Sequence, residues 1–148
     1  MEDVEKFLKK SFEDPIMVIL LKNSNLTDKQ YKTFLIDVIS DKISDVKLNF
    51  QEKAHLRANK VSRGSFSRTL SQARKNIISS IYTILLLSYA GIFQESPFDD
   101  YYTLSERLGE YVKIINSFEK SRSRKLLLRI EKELTDGIYQ LSKPKSLA

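Results

Sequence analysis

The sequence predicts an all-α fold, and three features carry that reading. Apolar residues recur at the three- and four-residue spacing of a helix face in segment after segment. Helix-start signals stand ahead of several of these segments, and the short apolar run Ile16 to Leu21 has no hairpin partner nearby. Only four Gly and three Pro punctuate the 148 residues, so turn signals are few.

The chain is organised around one stretch, Ser62 to Phe93, which reads as a single long helix. Its first half is polar and basic. Its second half, Ile77 to Phe93, carries no Asp, Glu, Lys or Arg, so other helices are expected to surround it and make it the core. Phe66, Leu70, Ala73 and Ile77, continued by Ile81, Ile84 and Ser88, mark one face of this helix. Arg63, Ser67, Arg68, Ser71, Gln72 and Lys75 fall largely on the other. Such a face suits a DNA major groove, where Arg pairs with guanine, Gln with adenine, and Ser reaches bases or phosphates. An ordinary amphipathic helix with a solvated polar face has the same pattern.

Ahead of it, residues 2 to 11 pattern as a short amphipathic helix through Val4, Phe7, Leu8 and Phe12. Asp14 and Pro15 supply a cap and a first helical position for a short buried helix over Ile16 to Leu21. Thr27 and Gln30 form a capping box that opens a helix with Tyr31, Phe34, Leu35 and Val38 as its buried stripe. Asn49 and Glu52 open a second, short helix, and Val61 and Ser62 make the turn into the long one, with Ser62 as its cap. Three helices, the middle one short and the third basic, are the layout of a helix-turn-helix unit.

Beyond Gly91 the chain turns, and Pro97, Asp99 and Asp100 stand at the next helix start, where first-turn carboxylates are favoured. Tyr101, Leu104, Leu108, Tyr111, Ile115 and Phe118 alternate three- and four-residue steps. After a connector at SRSR, Leu127, Ile130, Leu134, Ile138 and Leu141 repeat the spacing. Either the two helices fold back on each other, or one supplies a seam to a second subunit. The tail after Leu141 is expected to fray. Three segments follow: residues 1–25, N-terminal helices packing on the core; 26–93, the helix-turn-helix domain with its long buried third helix; and 94–148, a C-terminal helical hairpin or dimerisation arm.

Composition narrows the function. The net charge of +6 and pI near 9.4 favour a polyanionic partner, and the charge is uneven. From Lys53 to Gln94 there is no acid, yet seven Lys or Arg lie between Lys53 and Lys75. Lys120, Arg122, Arg124, Lys125 and Arg129 form a second basic cluster. Without Cys there is no disulfide framework, thiolate metal site or Cys nucleophile, and the lone His55 reads as a surface residue. No Gly-rich phosphate loop, no base for a Ser and no acid cluster at metal-ligand spacing is present, so no cofactor and no enzymatic chemistry are expected. The acidic start, MEDVEK, is unlike a signal peptide, and residues 77–93 fall short of a membrane span and contain several Ser and Thr, which gives an expectation of a cytoplasmic protein.

The runs LTDKQ, FQEKA and VSRGSFSRTLSQARKNI resemble the helix-turn-helix of sigma-factor region 4 and of archaeal Tfx-like regulators. The matching positions are Leu26, Thr27 and Gln30, then Glu52 and Ala54, then Ser62, Ser65, Phe66, Leu70, Ala73 and Arg74. The usual turn Gly is Ala58 here, and the interval from Ala54 to Phe66 is longer than in those families. The resemblance implies a DNA-binding transcriptional regulator. It places Ser62 and Ser65 on phosphate, Arg63, Ser67, Arg68, Ser71 and Gln72 in the groove, and Arg57, Lys60, Arg74 and Lys75 on the flanking backbone. For Arg74 an intramolecular ion pair is an equal alternative. The expected partner is double-stranded DNA, joined by a second copy, a homodimer, if one C-terminal helix supplies a seam to it instead of folding back on the other. The competing expectation is a helical, non-catalytic subunit of a replication, transcription or RNA-processing assembly that binds nucleic acid without sequence preference.

Overall fold

A computed structural model describes residues 2–43, 47–92, 97–115 and 120–142. Among the described residues there are seven α-helices and no strand: α1 (Glu2–Phe12), α2 (Pro15–Lys22), α3 (Asp28–Ile43), α4 (Phe50–His55), α5 (Arg63–Tyr89), α6 (Pro97–Ile115) and α7 (Lys120–Ser142). The chain divides into two compact units, Met1–Ile81 and Tyr82–Ala148, and the division falls within α5.

In the first unit, Val4 and Leu8 of α1 meet Ile36 of α3, Ala54 of α4, and Phe66 and Leu70 of α5 in one buried cluster. Each large side chain taken out of water here contributes about 1.5–3 kcal/mol. Ala54 and Phe66 have no exposed surface at all, and the small Ala54 is what lets α4 lie close in this cluster. An edge-on contact of Phe12 with Tyr31, 6.5 Å between ring centres, adds to the packing of α1 on α3.

The helix starts are built as the residue types dictate. Asp14 Oδ1 accepts the amides of Ile16 and Met17 at 2.9 and 3.1 Å, with Pro15 at the first helical position of α2. The α3 box is closed by Thr27 N–H to Gln30 Oε1 and Gln30 N–H to Thr27 Oγ1, and the α4 box by Asn49 and Glu52. Ser62 Oγ accepts the Ser65 amide at 3.2 Å and caps α5. At the other end of α5, Gly91 at φ 72° takes the left-handed conformation. There the Ile92 amide bonds Leu87 O and the Gly91 amide bonds Ser88 O, both at 3.1 Å, a paired closure that ends the helix.

Four expectations need correction. The apolar second half of α5 is not the core: the buried residues of α5 are Phe66, Leu70 and Ala73, all in the basic half. Tyr82, Leu86 and Tyr89 are 68, 65 and 95% exposed, and the cluster that α1, α3 and α4 form takes in only Phe66 and Leu70 of α5. The α2 helix is likewise buried only at Ile16, with Val18 and Leu20 exposed, since eight almost uniformly apolar residues have no polar side to turn outward. On α3 the fully buried stripe is Thr33, Ile36, Asp37 and Ser40, while Tyr31, Phe34, Leu35 and Val38 are half-buried. Thr33 and Ser40 can be buried because their hydroxyls donate to carbonyls of their own helix, Lys29 O and Asp37 O. Finally, the SRSR residues 121–124 lie inside α7 rather than in a connector, which befits Arg and Ser as tolerable helix residues without Gly or Pro.

In the second unit, α6 buries Leu108 and Ile115, and α7 buries Ile130 and Leu134. These four seam residues are therefore covered within a single chain, without a second subunit. Ser123 Oγ donates to Ile115 O at 3.2 Å across the junction of the two helices. The side chains of Tyr101 and Leu141, residue Phe118, the 93–96 boundary and the tail from 143 onward lie outside the described residues.

Candidate nucleic-acid interface

Phe66, Leu70 and Ala73 bury one side of the first half of α5 in the α1–α3–α4 packing. The 3.6-residue period then turns Ser67, Arg68, Ser71, Gln72 and Lys75 outward, and all five are exposed, as is Arg63 at the helix start. Lys60 and Ser62 are exposed on the approach to α5, while Arg57 and Ser65 are half-buried. Ser62 Oγ is already engaged as the helix cap. No ion pair ties down Arg63, Arg68 or Lys75 among the described residues.

The outward face is held in place from both sides of α5. On one flank Asn76 Nδ2 donates to Asn25 O at 2.8 Å and to Gln30 Oε1 at 3.3 Å, while Asn25 Nδ2 donates to Ser80 Oγ at 3.2 Å. The α3 capping box is thus tied into α5. On the other flank lies an ionic cluster. Lys53 Nζ donates to Asp37 Oδ1 at 2.8 Å and to Asp41 Oδ1 at 2.7 Å, and Arg74 Nη2 donates to Asp37 Oδ2 at 2.7 Å.

Burial grades this cluster. The side chains of Lys53 and Asp37 are 5 and 7% exposed, and those of Asp41 and Arg74 are 43 and 55% exposed. Burial alone would lower the pKa of Lys53, but the hydrogen-bonded carboxylates of Asp37 and Asp41 outweigh it and hold the ammonium above the ordinary lysine value. The Phe50 ring lies 5.9 Å from Lys53 Nζ and 6.3 Å from the Phe66 ring, which links the ionic cluster to the apolar core. An open cleft of about 780 Å³ runs beside the cluster, lined among others by Lys47, Asn49, Arg63 and Arg74.

The structure therefore brings Arg63, Ser67, Arg68, Ser71, Gln72 and Lys75 together on one exposed helix and places Arg57, Lys60, Ser62 and Ser65 at or just before its start. Arg74 stands apart, since its guanidinium is committed to Asp37. Compared with protein-family models, curated proteins and solved structures, the chain matches none. The site consequently stands on its geometry. The link from Leu56 to Ser62 is seven residues, longer than the roughly 3–4 residues that join the helices of a compact helix-turn-helix. Among the described residues no group of His, Asp and Glu could hold a metal ion, and no helix is long and apolar enough to cross a membrane.

Sequence reasoning missed the ionic cluster. Asp37 and Asp41 stand one helical turn apart on α3, and Lys53 lies on the core side of a capped short helix. That coincidence of a paired acid and an inward lysine was the available signal.

Proposed function

We propose that the chain is a non-catalytic DNA-binding protein, acting in transcriptional control, that lays the first half of α5 in the major groove. One observation carries this reading: a helix buried at Phe66, Leu70 and Ala73 offers Arg68, Gln72 and Lys75 on an exposed face, with Arg63 exposed at its start, in a segment without acidic residues. Arg68 and Gln72, one turn apart, are the side chains suited to guanine and adenine edges. Lys75, Arg63 and Lys60 supply phosphate contacts, and Arg74 acts as a positioning residue that fixes α5 on α3 through Asp37.

Selection from a random duplex pool at about 50 and 200 mM salt tests the proposal, since phosphate-only binding collapses over that range. Enrichment of one motif is expected. Arg68→Ala should relax discrimination at one position at a cost of about 1–3 kcal/mol, whereas Lys75→Ala should weaken all sequences evenly and lower the salt slope by about 1. An unchanged motif and affinity in Arg68→Ala would refute the groove assignment.

A second reading is a nucleic-acid-binding subunit without sequence preference. The seven-residue link and the engagement of Arg74 favour it, because both depart from a compact helix-turn-helix. In that case no motif is enriched, and each lysine or arginine removed lowers affinity alike.

A further inference from the structure

The exposed face of α5 does not end with the basic residues. Ile78, Tyr82, Leu85 and Tyr89 follow at intervals of four, three and four residues, the spacing of a helix-pairing seam. They are exposed by 52, 68, 48 and 95%, and Ile81 and Leu86 flank them at 46 and 65%. Taking about 200 Å² for a whole large apolar side chain, these six leave apolar surface on the order of 750 Å² in solvent. That exceeds the ~300–600 Å² of the largest patch on a typical monomer.

We infer that α5 pairs with α5 of a second copy, in parallel, through Ile78, Tyr82, Leu85 and Tyr89. Two such faces present about 1,500 Å² in total, and full coverage of both would fall within the ~1,200–2,000 Å² of a stable interface. The stretch from Asn76 to Gln94 holds no charged side chain, so a partner has only apolar surface to match, and the same seam on a second chain does so. A lipid surface fits less well. An interfacial helix needs a cationic polar side behind its apolar face, and the opposite side here carries Ile77, Ile84 and Leu87.

The direction of pairing follows from α5 itself. Ser71 and Lys75 continue the seam spacing toward the N-terminus, so the basic and apolar stretches lie on the same side of one uninterrupted helix. Antiparallel copies would turn their basic stretches to opposite sides. Parallel copies direct both toward a common gap, as in basic helices that diverge from a dimer seam to straddle a duplex. Lys75 and Arg68 of the two chains repel across that gap until phosphates fill it, so DNA and dimer formation promote each other. The direction rests on the DNA reading of the proposed function; the self-pairing does not.

Sedimentation equilibrium of the full chain, with and without a short duplex at low salt, reads the pairing. A dimer is expected, tighter with DNA. Leu85→Glu should weaken it at least about tenfold while circular dichroism stays unchanged, because the side chain is already half in water. The chain has no cysteine, so Ile78→Cys supplies a unique thiol: parallel pairing cross-links it to its own copy on oxidation. Cross-linking only in a mixture of Ile78→Cys and Tyr89→Cys would overturn the parallel assignment. A wild-type chain that stays monomeric with and without duplex, or a Leu85→Glu variant that dimerises like wild type, would overturn the pairing. A dimer that holds no duplex sustains the seam and refutes the DNA reading, and a duplex-bound monomer does the reverse.

Discussion

Replacing Lys53 by Met removes the cation from between Asp37 and Asp41 at nearly constant volume. The consequences for the two carboxylates differ. Asp41 is 43% exposed and returns to water at little cost, whereas Asp37, at 7%, keeps Arg74 as its one cationic partner among the described residues. Breaking a buried pair by deleting one member costs about 3–5 kcal/mol. The surviving charge-assisted bond from Arg74 offsets part of this, which leaves an expected loss of about 2–3 kcal/mol for Lys53→Met. Against a typical domain stability of about 5–15 kcal/mol the effect is large. Native-state amide exchange at α3 and α4 is the suitable assay, because a chain with two compact units need not unfold in one step. A change below about 0.5 kcal/mol, the scale of an ordinary surface substitution, would refute the reasoning. The double variant Asp37→Leu, Lys53→Met sharpens the test. Removing both buried charges leaves Arg74 and Asp41 free to hydrate, so the pair should recover most of what either single change loses. A cost equal to the sum of the two singles would mean that Asp37 and Lys53 do not interact.

Other outcomes follow from the same packing. Phe66→Ala empties the most enclosed aromatic site of the first unit and should cost about 3–5 kcal/mol, measured by urea unfolding; a cost near 1 kcal/mol would show that the site collapses around the gap. Asn49→Ala removes the oxygen that accepts the Gln51 and Glu52 amides and should cost about 1 kcal/mol, with faster exchange confined to α4. Stability should fall from about pH 10 upward. Lys53 has its pKa raised in the fold, so its contribution is complete below the unfolded value of 10.5 and is lost as pH climbs through the folded one. Tyr31, raised above 10.0 by burial and by Asp14, resists ionisation in the fold while the unfolded chain ionises freely, which acts in the same direction. Thermal melts at stepped pH check this: a midpoint that is flat from pH 9 to above 11 would contradict both assignments.

Local chemistry was the most legible part of the fold. Asp14, Thr27 with Gln30, Asn49 with Glu52, and Ser62 each cap the helix their side chains suit, because a cap depends on residues within one turn. The exposed basic face of α5 was equally legible, since Phe66, Leu70 and Ala73 fix its inward side by periodicity. Burial was less so. Tyr82, Leu86 and Tyr89 read as core because apolar composition cannot say whether neighbours reach a given turn of a helix. The burial of Asp37 left no local sign, because it depends on Lys53 and Arg74, which are distant in sequence and meet it only in the folded chain.

The polar stripe of α3 also governs how this sequence can drift. Apolar core positions such as Ile36 or Leu70 tolerate exchange for other side chains of similar volume. Asp37 has no such neighbours in chemical space. One of its oxygens answers to α4 and the other to α5, so a change at 37 needs answering changes at 53 and 74. Across diverging descendants of this chain, those three positions should therefore change together or hardly at all, while the apolar residues around them are reshuffled.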